Sequence, residues 1–135
     1  MRDKWYGDNR DLVKWATLVS LAEQFEARHI LQVLYLRPTD WEEVEIDGSP
    51  VKISDSVLLH FRNVDLIRNL RCGIPIDTLA DTFQGRDEYL QKILAAIQGK
   101  VRHPGIVFLD PDTGLEPTSG RFDHSDVCAE EVSEI

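Results

Sequence analysis

The sequence has two cysteines, Cys72 and Cys128, and they form no Cys-x-x-Cys pair. Both therefore read as small apolar residues in a reducing compartment. The opening stretch, Met1 to Gly7, lacks an apolar signal region, and no segment holds the roughly 18 uncharged apolar residues that a membrane span requires. The expected location is the cytoplasm, with no membrane partner. Chemistry-bearing motifs are scarce as well. There is no Gly-x-Gly-x-x-Gly, no Gly-x-x-x-x-Gly-Lys-Ser/Thr, no His-Glu-x-x-His and no Gly-x-Ser-x-Gly. The histidines His29, His60, His103 and His124 show no metal-ligand spacing and are expected at the surface or at caps. Positive charge is in deficit: 15 Lys and Arg face 24 Asp and Glu, a net charge of −9. A field of that sign opposes non-specific binding to phosphate backbones. The basic residues Arg2, Lys4, Arg10 and Lys14 cluster near the start, so a nucleic acid, if bound, would approach that side.

What is present is a foldable core. The chain has 135 residues, 42% of them hydrophobic, which suits a single domain over 1–135. Asp8 or Asn9 is placed to cap a first helix that ends near Glu26. Leu12, Trp15, Ala16, Val19, Ala22 and Phe25 recur at three- and four-residue steps on it; Val13, Leu18 and Leu21 widen that stripe, which predicts burial on more than one side. Ile30 to Leu36 is a short apolar run, the pattern of a strand covered on both faces. A hairpin is expected over 41–53 around Asp47-Gly48-Ser49-Pro50. Asp55 or Ser56 opens a second helix with Val57, Phe61, Val64, Ile67 and Leu70 on one face and Gly73 at its end. Ile74 to Leu79 reads as a strand. A third helix is expected over 87–98, with Tyr89, Leu90, Ile93, Leu94 and Ile97 inward and Gly99 just past its end. Ile106 to Leu109 is another buried strand, 110–120 a loop, and Ser125 or Asp126 starts a last helix that runs to Ile135 without a stop signal. The alternation predicts an α/β fold with a mainly parallel sheet and helices on both faces. Only three or four strands are legible where a doubly wound domain has about six, so the expectation is an incomplete fragment whose remaining strands lie beyond the C-terminus.

Two segments could carry chemistry. The first is Ile106-Val-Phe-Leu-Asp-Pro-Asp-Thr-Gly114. Ligands of parallel α/β sheets bind beyond the carboxyl ends of strands, and Asp110 falls there, able to accept hydrogen bonds from a substrate amine. Pro111 fixes the backbone and Gly114 permits a turn. Asp112 could join Asp110 at one hard cation. The alternative is that Asp112-Thr-Gly is a turn and Asp110 bonds its own loop, as befits a loop residue at the surface. The second segment is Tyr6-Gly-Asp-Asn-Arg-Asp-Leu-Val-Lys14. A helix start attracts anions, and Arg10 and Lys14, one turn apart, add positive charge; the same residues also serve as a cap with a solvated charge pair.

Together the two segments resemble a group of bacterial and phage proteins. That group starts with Tyr-x-Gly-Asp-x-Arg-Asp and a nearby Lys, and later carries Phe-Leu-Asp-Pro-Asp-x-Gly-Leu-Glu. Here these are Tyr6, Gly7, Asp8, Arg10, Asp11 and Lys14, and Phe108 through Glu116. More distantly the order resembles the adenine-N6 methyltransferase family that modifies large-subunit ribosomal RNA. That family opens with Ala-Gly-Asn-His-Ala-Asp-Val-Leu-Lys-His, which Gly7, Asp11 and Lys14 match, and its Asp-Pro-Pro-Tyr falls on Asp110 to Thr113, of which Asp110 and Pro111 match. The resemblance implies a Rossmann-like methyltransferase fold and S-adenosylmethionine-dependent transfer to an amine of a nucleic acid base. Asp110 would take the acceptor amine as the catalytic residue. Gly7, Asp8, Arg10, Asp11, Lys14, Pro111, Asp112 and Gly114 would hold cofactor or substrate. The family's glycine-bearing cofactor loop corresponds here to Leu36-Arg-Pro-Thr-Asp-Trp41, which has no glycine, and Thr113 replaces the aromatic that would stack on a flipped base. Two further readings follow: a non-catalytic binding module that kept the fold and lost that loop, and a Mg²⁺-dependent phosphoryl-transfer or nuclease-like enzyme using Asp110, Asp112 and Glu116.

Overall fold

The computed structural model describes residues 9–37, 42–61, 63–111, 114–115, 126–127, 132–133 and 135. The chain is a mixed α/β structure. Helix α1 (Asn9–Gln24) leads into strand β1 (Ile30–Val33), then into a hairpin of β2 (Glu43–Ile46) and β3 (Ser49–Lys52). Helix α2 (Asp55–Phe61) and a 3-10 helix (Val64–Asn69) lead to β4 (Ile76–Leu79), and helix α3 (Arg86–Lys100) leads to β5 (Ile106–Leu109). Short β6 (Gly114–Leu115) and β7 (Asp126–Val127) pair in parallel apart from the main sheet.

The main sheet has three parallel strands in the order β4-β1-β5. Its register aligns Ile30 with Ile76 and with Ile106. Strand β1 is buried at every position, as its apolar run predicts for a central strand, whereas β5 is half-buried along its length. Side chains alternate between the faces. Ile30 packs with Trp15, Leu18 and Ala22 of α1, while Leu31 and Val33 pack with Tyr89, Ile93 and Ala96 of α3. The 3-10 helix joins the α1 side through Ile67. The chain thus crosses from β1 to β4 on one face and from β4 over β1 to β5 on the other. Two right-handed crossovers that run in opposite directions must lie on opposite faces, and this arrangement has that form.

Several elements depart from expectation. On α1 the buried line is Asp11, Trp15, Leu18 and Ala22; Leu12, Val13 and Phe25 are well exposed, and Ala16 is exposed too. The helix is buried on one side only, and it is turned from the phase its apolar residues suggest. That rotation brings Lys14 to the sheet edge, and Trp15 meets Phe108 edge to face at 6.5 Å. The expected second helix is broken at Asn63, whose φ of −84° and ψ of 82° are not helical. The break lets Val64 pack under Leu34 and brings Asp65 and Arg68 to Thr78 and Asp77 of β4. Helix α3 runs through Gly99 to Lys100, and Val101 then folds back on the core. The last expected helix starts as a strand instead: Asp126 and Val127 pair with Gly114 and Leu115, and helical backbone is described only at Val132 and Ser133. Gly114 accordingly lies in a strand, not in a turn; paired backbone there satisfies peptide groups that a loop would leave open. The hairpin is as expected, with Asp47 and Gly48 both at positive φ (50° and 76°), the two-residue geometry that matches strand twist.

Candidate functional site at the carboxyl edge of the sheet

The strand order β4-β1-β5 places the first strand of the sheet in the middle: the chain runs from β1 out to β4 and then back over β1 to β5, so its direction across the sheet reverses. Ligands of open parallel sheets bind beyond the carboxyl ends of the strands at such a reversal, which here falls at β1 and β5. Asp110 follows β5 directly, and its N–H donates to the Val33 carbonyl at 2.9 Å, which holds it against β1. Gln32 projects from β1 on the same side as Ile30, toward α1. Helix α1 runs antiparallel to the strand it precedes, so its N-terminal turns reach the same edge. Lys14 Nζ donates to Asp110 Oδ1 at 2.7 Å and to Asp11 Oδ1 at 3.3 Å. Gln32 Nε2 donates to Asp110 Oδ2 at 2.9 Å. The two sequence segments, 96 residues apart at Lys14 and Asp110, therefore meet through one ion pair.

Burial separates the roles. The side chain of Asp110 is 3% exposed and that of Lys14 is 37% exposed. Asp11 and Gln32 are buried. Burial pulls the Lys14 ammonium down, but the hydrogen bond and charge of Asp110, reinforced by Asp11, outweigh it and raise its pKa above the usual lysine value. Lys14 is charged at neutral pH. It has three N–H donors, and two go to the aspartates. Its remaining donor and its half-open surface make it the group a ligand can touch.

The expectation of Asp110 as an exposed loop carboxylate is corrected. Both of its oxygens are engaged and it is sealed under Lys14 and Gln32, because the ladder bond to Val33 keeps it beside the central strand. It holds Lys14 in place and does not itself present an acceptor. Gln32 escaped the sequence reading, although the signal was there: it is the single amide in the run Ile30 to Leu36. Its orientation is fixed, since only the NH₂ end can face a carboxylate, and its Oε1 is buried with no hydrogen-bond partner among the described residues. Among the other expected site residues, Asp11 joins the network, Arg10 is exposed one turn away, Pro111 is half-buried beside Asp110, and Gly114 lies in β6. Gly7, Asp8, Asp112, Thr113 and Glu116 lie outside the described residues. His29, expected at the surface, is buried at the opposite end of β1, with Nε2 3.1 Å from Asp77 Oδ2. It enters the interior because that carboxylate gives it a polar partner there.

The segment after β1 bears on the implied cofactor. Tyr35 adopts a positive φ of 46° without being glycine, and its buried ring packs against Phe83 and Tyr89 at centroid distances of 5.6 and 5.0 Å. Its N–H donates to the Tyr89 hydroxyl at 3.1 Å, and Leu36 bridges to Thr82. A phenol ring thus packs on the α3 side of the sheet directly before the segment Leu36 to Trp41. Among the described residues there is also no group of three His, Cys, Asp or Glu side chains able to hold a metal, and no helix long and apolar enough to cross a membrane. No family model matches the chain, and neither a curated protein nor a solved structure matches it.

Proposed function

We propose that the chain is a methyltransferase-like α/β binding module that takes a neutral polar ligand, of the nucleobase class, at the carboxyl edge between β1 and β5. The observation that carries this reading is the Lys14–Asp110 contact of 2.7 Å at the point where the strand order reverses. Lys14 is the open group and Asp110 the buried one. With its charge balanced locally, Lys14 offers a hydrogen bond more than a net positive field, which suits a carbonyl or ring nitrogen better than a phosphate. The nucleobase class comes from the resemblance to base-modifying methyltransferases. The absence of a glycine turn after β1 favours binding without S-adenosylmethionine chemistry.

Calorimetric titration with adenosine tests it. Saturable binding is expected, weakened about tenfold in Lys14→Gln, the loss expected for one hydrogen bond to a charged group. Lys14→Arg, which keeps the ion pair, retains binding. No adenosine binding, or equal binding by Lys14→Gln, overturns the proposal. A parallel titration with S-adenosylmethionine addresses the second reading, methyl transfer to a base amine. Its support is that both segments carrying the methyltransferase resemblance converge on this contact. Binding of S-adenosylmethionine more than about tenfold tighter than adenosine, a gap of about 1.4 kcal/mol, decides for the enzyme. The Mg²⁺-dependent reading needs Asp110 to release Lys14 and Gln32, both of which occupy its oxygens.

A further inference from the structure

The opposite edge of the sheet has its own cavity. Three loops enter the amino ends of the three strands: 25–29 before β1, 70–75 before β4 and 101–105 before β5. Backbone bonds lock them together. Arg28 N–H donates to Pro104 O at 2.7 Å, Ile30 N–H to Pro75 O at 3.0 Å, and Ile106 N–H to His29 O at 2.9 Å. The loops surround an open cavity of about 670 Å³, lined by Arg28, Arg102, His103, Gly73 and Ile74 over a floor that includes buried Ala27. That volume lies in the range of small-molecule sites, about 300–1,000 Å³.

Charge distinguishes this cavity. Among the described residues, neither Arg28 nor Arg102 has an ion-pair partner, whereas Lys14, Arg68 and Lys92 are each paired with a carboxylate. Two uncompensated guanidiniums share one cavity in a chain of net charge −9. A guanidinium is always charged, and its planar fork matches two oxygens of a phosphate or carboxylate. Among the described residues the lining itself carries no carboxylate, and acidic groups farther off than a Debye length, about 8 Å at physiological salt, are screened from it. Gly73, at a φ of +78°, turns the backbone where a side chain would be strained, and the N–H groups of Gly73 and Ile74 donate to no described group. These amides add neutral donors to the two cations, the mixture that backbone phosphate sites use.

We propose that this amino-edge cavity binds a small phosphate-bearing molecule, with Arg28 and Arg102 clamping the phosphate oxygens and the 73–74 backbone completing the cradle. The inference is independent of the carboxyl-edge reading, since it uses none of the same residues. The test is amide NMR of the whole chain titrated with inorganic phosphate, then with adenosine 5′-monophosphate, each against sodium chloride of equal ionic strength. Saturable shifts are expected at Gly73, Ile74, Arg102 and His103 with both phosphates and not with chloride. The double variant Arg28→Gln/Arg102→Gln should weaken binding at least about tenfold, as removal of charge-assisted hydrogen bonds predicts. Both side chains are exposed, so the variant folds, and a thermal melt verifies it. Shifts that stay linear, that centre on Lys14 at the other edge, or that persist unchanged in the double variant overturn the proposal. Tighter binding of a DNA duplex than of the monophosphate overturns the small-molecule assignment.

Discussion

At the carboxyl edge of the sheet, Lys14 stands between two buried aspartates and a buried glutamine holds the other oxygen of Asp110. At the amino edge, Arg28 and Arg102 line an open cavity and, among the described residues, pair with no carboxylate. The two ends of one three-stranded sheet thus handle charge in opposite ways. The first keeps its charges paired and its carboxylates buried, so they contribute to the fold while leaving one ammonium reachable. The second leaves its charges in water, where they contribute little to the fold and are free to meet a ligand. Substitutions at the two ends should therefore differ most in their effect on stability.

The largest effect is expected at Lys14. Lys14→Met leaves the Asp110 carboxylate, 3% exposed, without its cation, and because Lys14 is itself half-open and Gln32 still holds one oxygen, the cost is about 3 kcal/mol, the lower end for a broken buried pair. Asp110→Ala strands the other partner, but Lys14 is 37% exposed and can turn to water. The cost should fall to about 2 kcal/mol, mostly the lost bonds and the orphaned Gln32 amide. Urea denaturation of the two variants measures the difference. A larger loss for Asp110→Ala than for Lys14→Met would break the assignment of Asp110 as the sealed member of the pair.

A second effect compares the polar α1 side of the sheet with the aromatic α3 side. Tyr89 is fully buried; its hydroxyl accepts from the Tyr35 N–H at 3.1 Å and donates to the Leu79 carbonyl at 3.4 Å. Tyr89→Phe keeps the ring and removes its hydrogen bonds to Tyr35 and Leu79, at a cost of about 2 kcal/mol by urea denaturation. A neutral result would mean that the ring packing alone positions Tyr35.

How much of this was legible in the sequence follows from the same contacts. The sheet strands were legible because Ile30–Val33 and Ile106–Leu109 are apolar at each position but Gln32, and their parallel pairing follows from the helices between them. The meeting of Lys14 with Asp110 was legible from topology, since both lie at ends that a parallel sheet brings together. The rotation of α1 was not. Leu12, Val13 and Phe25 are as apolar as Leu18, and the buried face is set by contacts across the fold, Trp15 with Phe108 and Lys14 with Asp110. The burial of Asp110 was also hidden, because turn residues such as Pro111 and Gly114 signal a loop whether or not the preceding carboxylate is covered. The break at Asn63 depends on Val64 packing against Leu34, a contact 30 residues distant that no local pattern encodes.

A pH series sharpens the comparison of the two faces. Burial, opposed in part by the bond from Tyr35, raises the Tyr89 hydroxyl above its usual value, and Lys14 is also raised. Both groups keep their proton more tightly folded than unfolded. Their contributions are therefore complete below the unfolded values, about 10 for tyrosine and 10.5 for lysine, and are lost as pH climbs above them. Stability by thermal melting should be level from these two groups through neutral pH and fall above about pH 10. Lys14→Met and Tyr89→Phe should each make the fall shallower. An unchanged slope in either variant removes that group from the account.

The smallest effect is expected at the amino edge. Arg28 and Arg102 are exposed and unpaired among the described residues, and the bond that fixes Arg28 uses its backbone N–H, which a substitution keeps. Glutamine preserves the apolar stem and a polar end. Arg28→Gln and Arg102→Gln should each change stability by no more than about 0.5 kcal/mol, the range of surface positions away from special features. The sign can even be favourable, because removing one of two like charges that face the same cavity relieves their mutual repulsion. If so, the double variant gains once, not twice, since the second removal has no neighbour left to relieve. Melting the two single variants and the double variant at low and at high salt reads this out: the gain should appear at low salt and vanish at high salt as screening takes over. A loss of several kcal/mol in either single variant would show that the guanidinium carries part of the fold, and the contrast between the two edges of the sheet would fail.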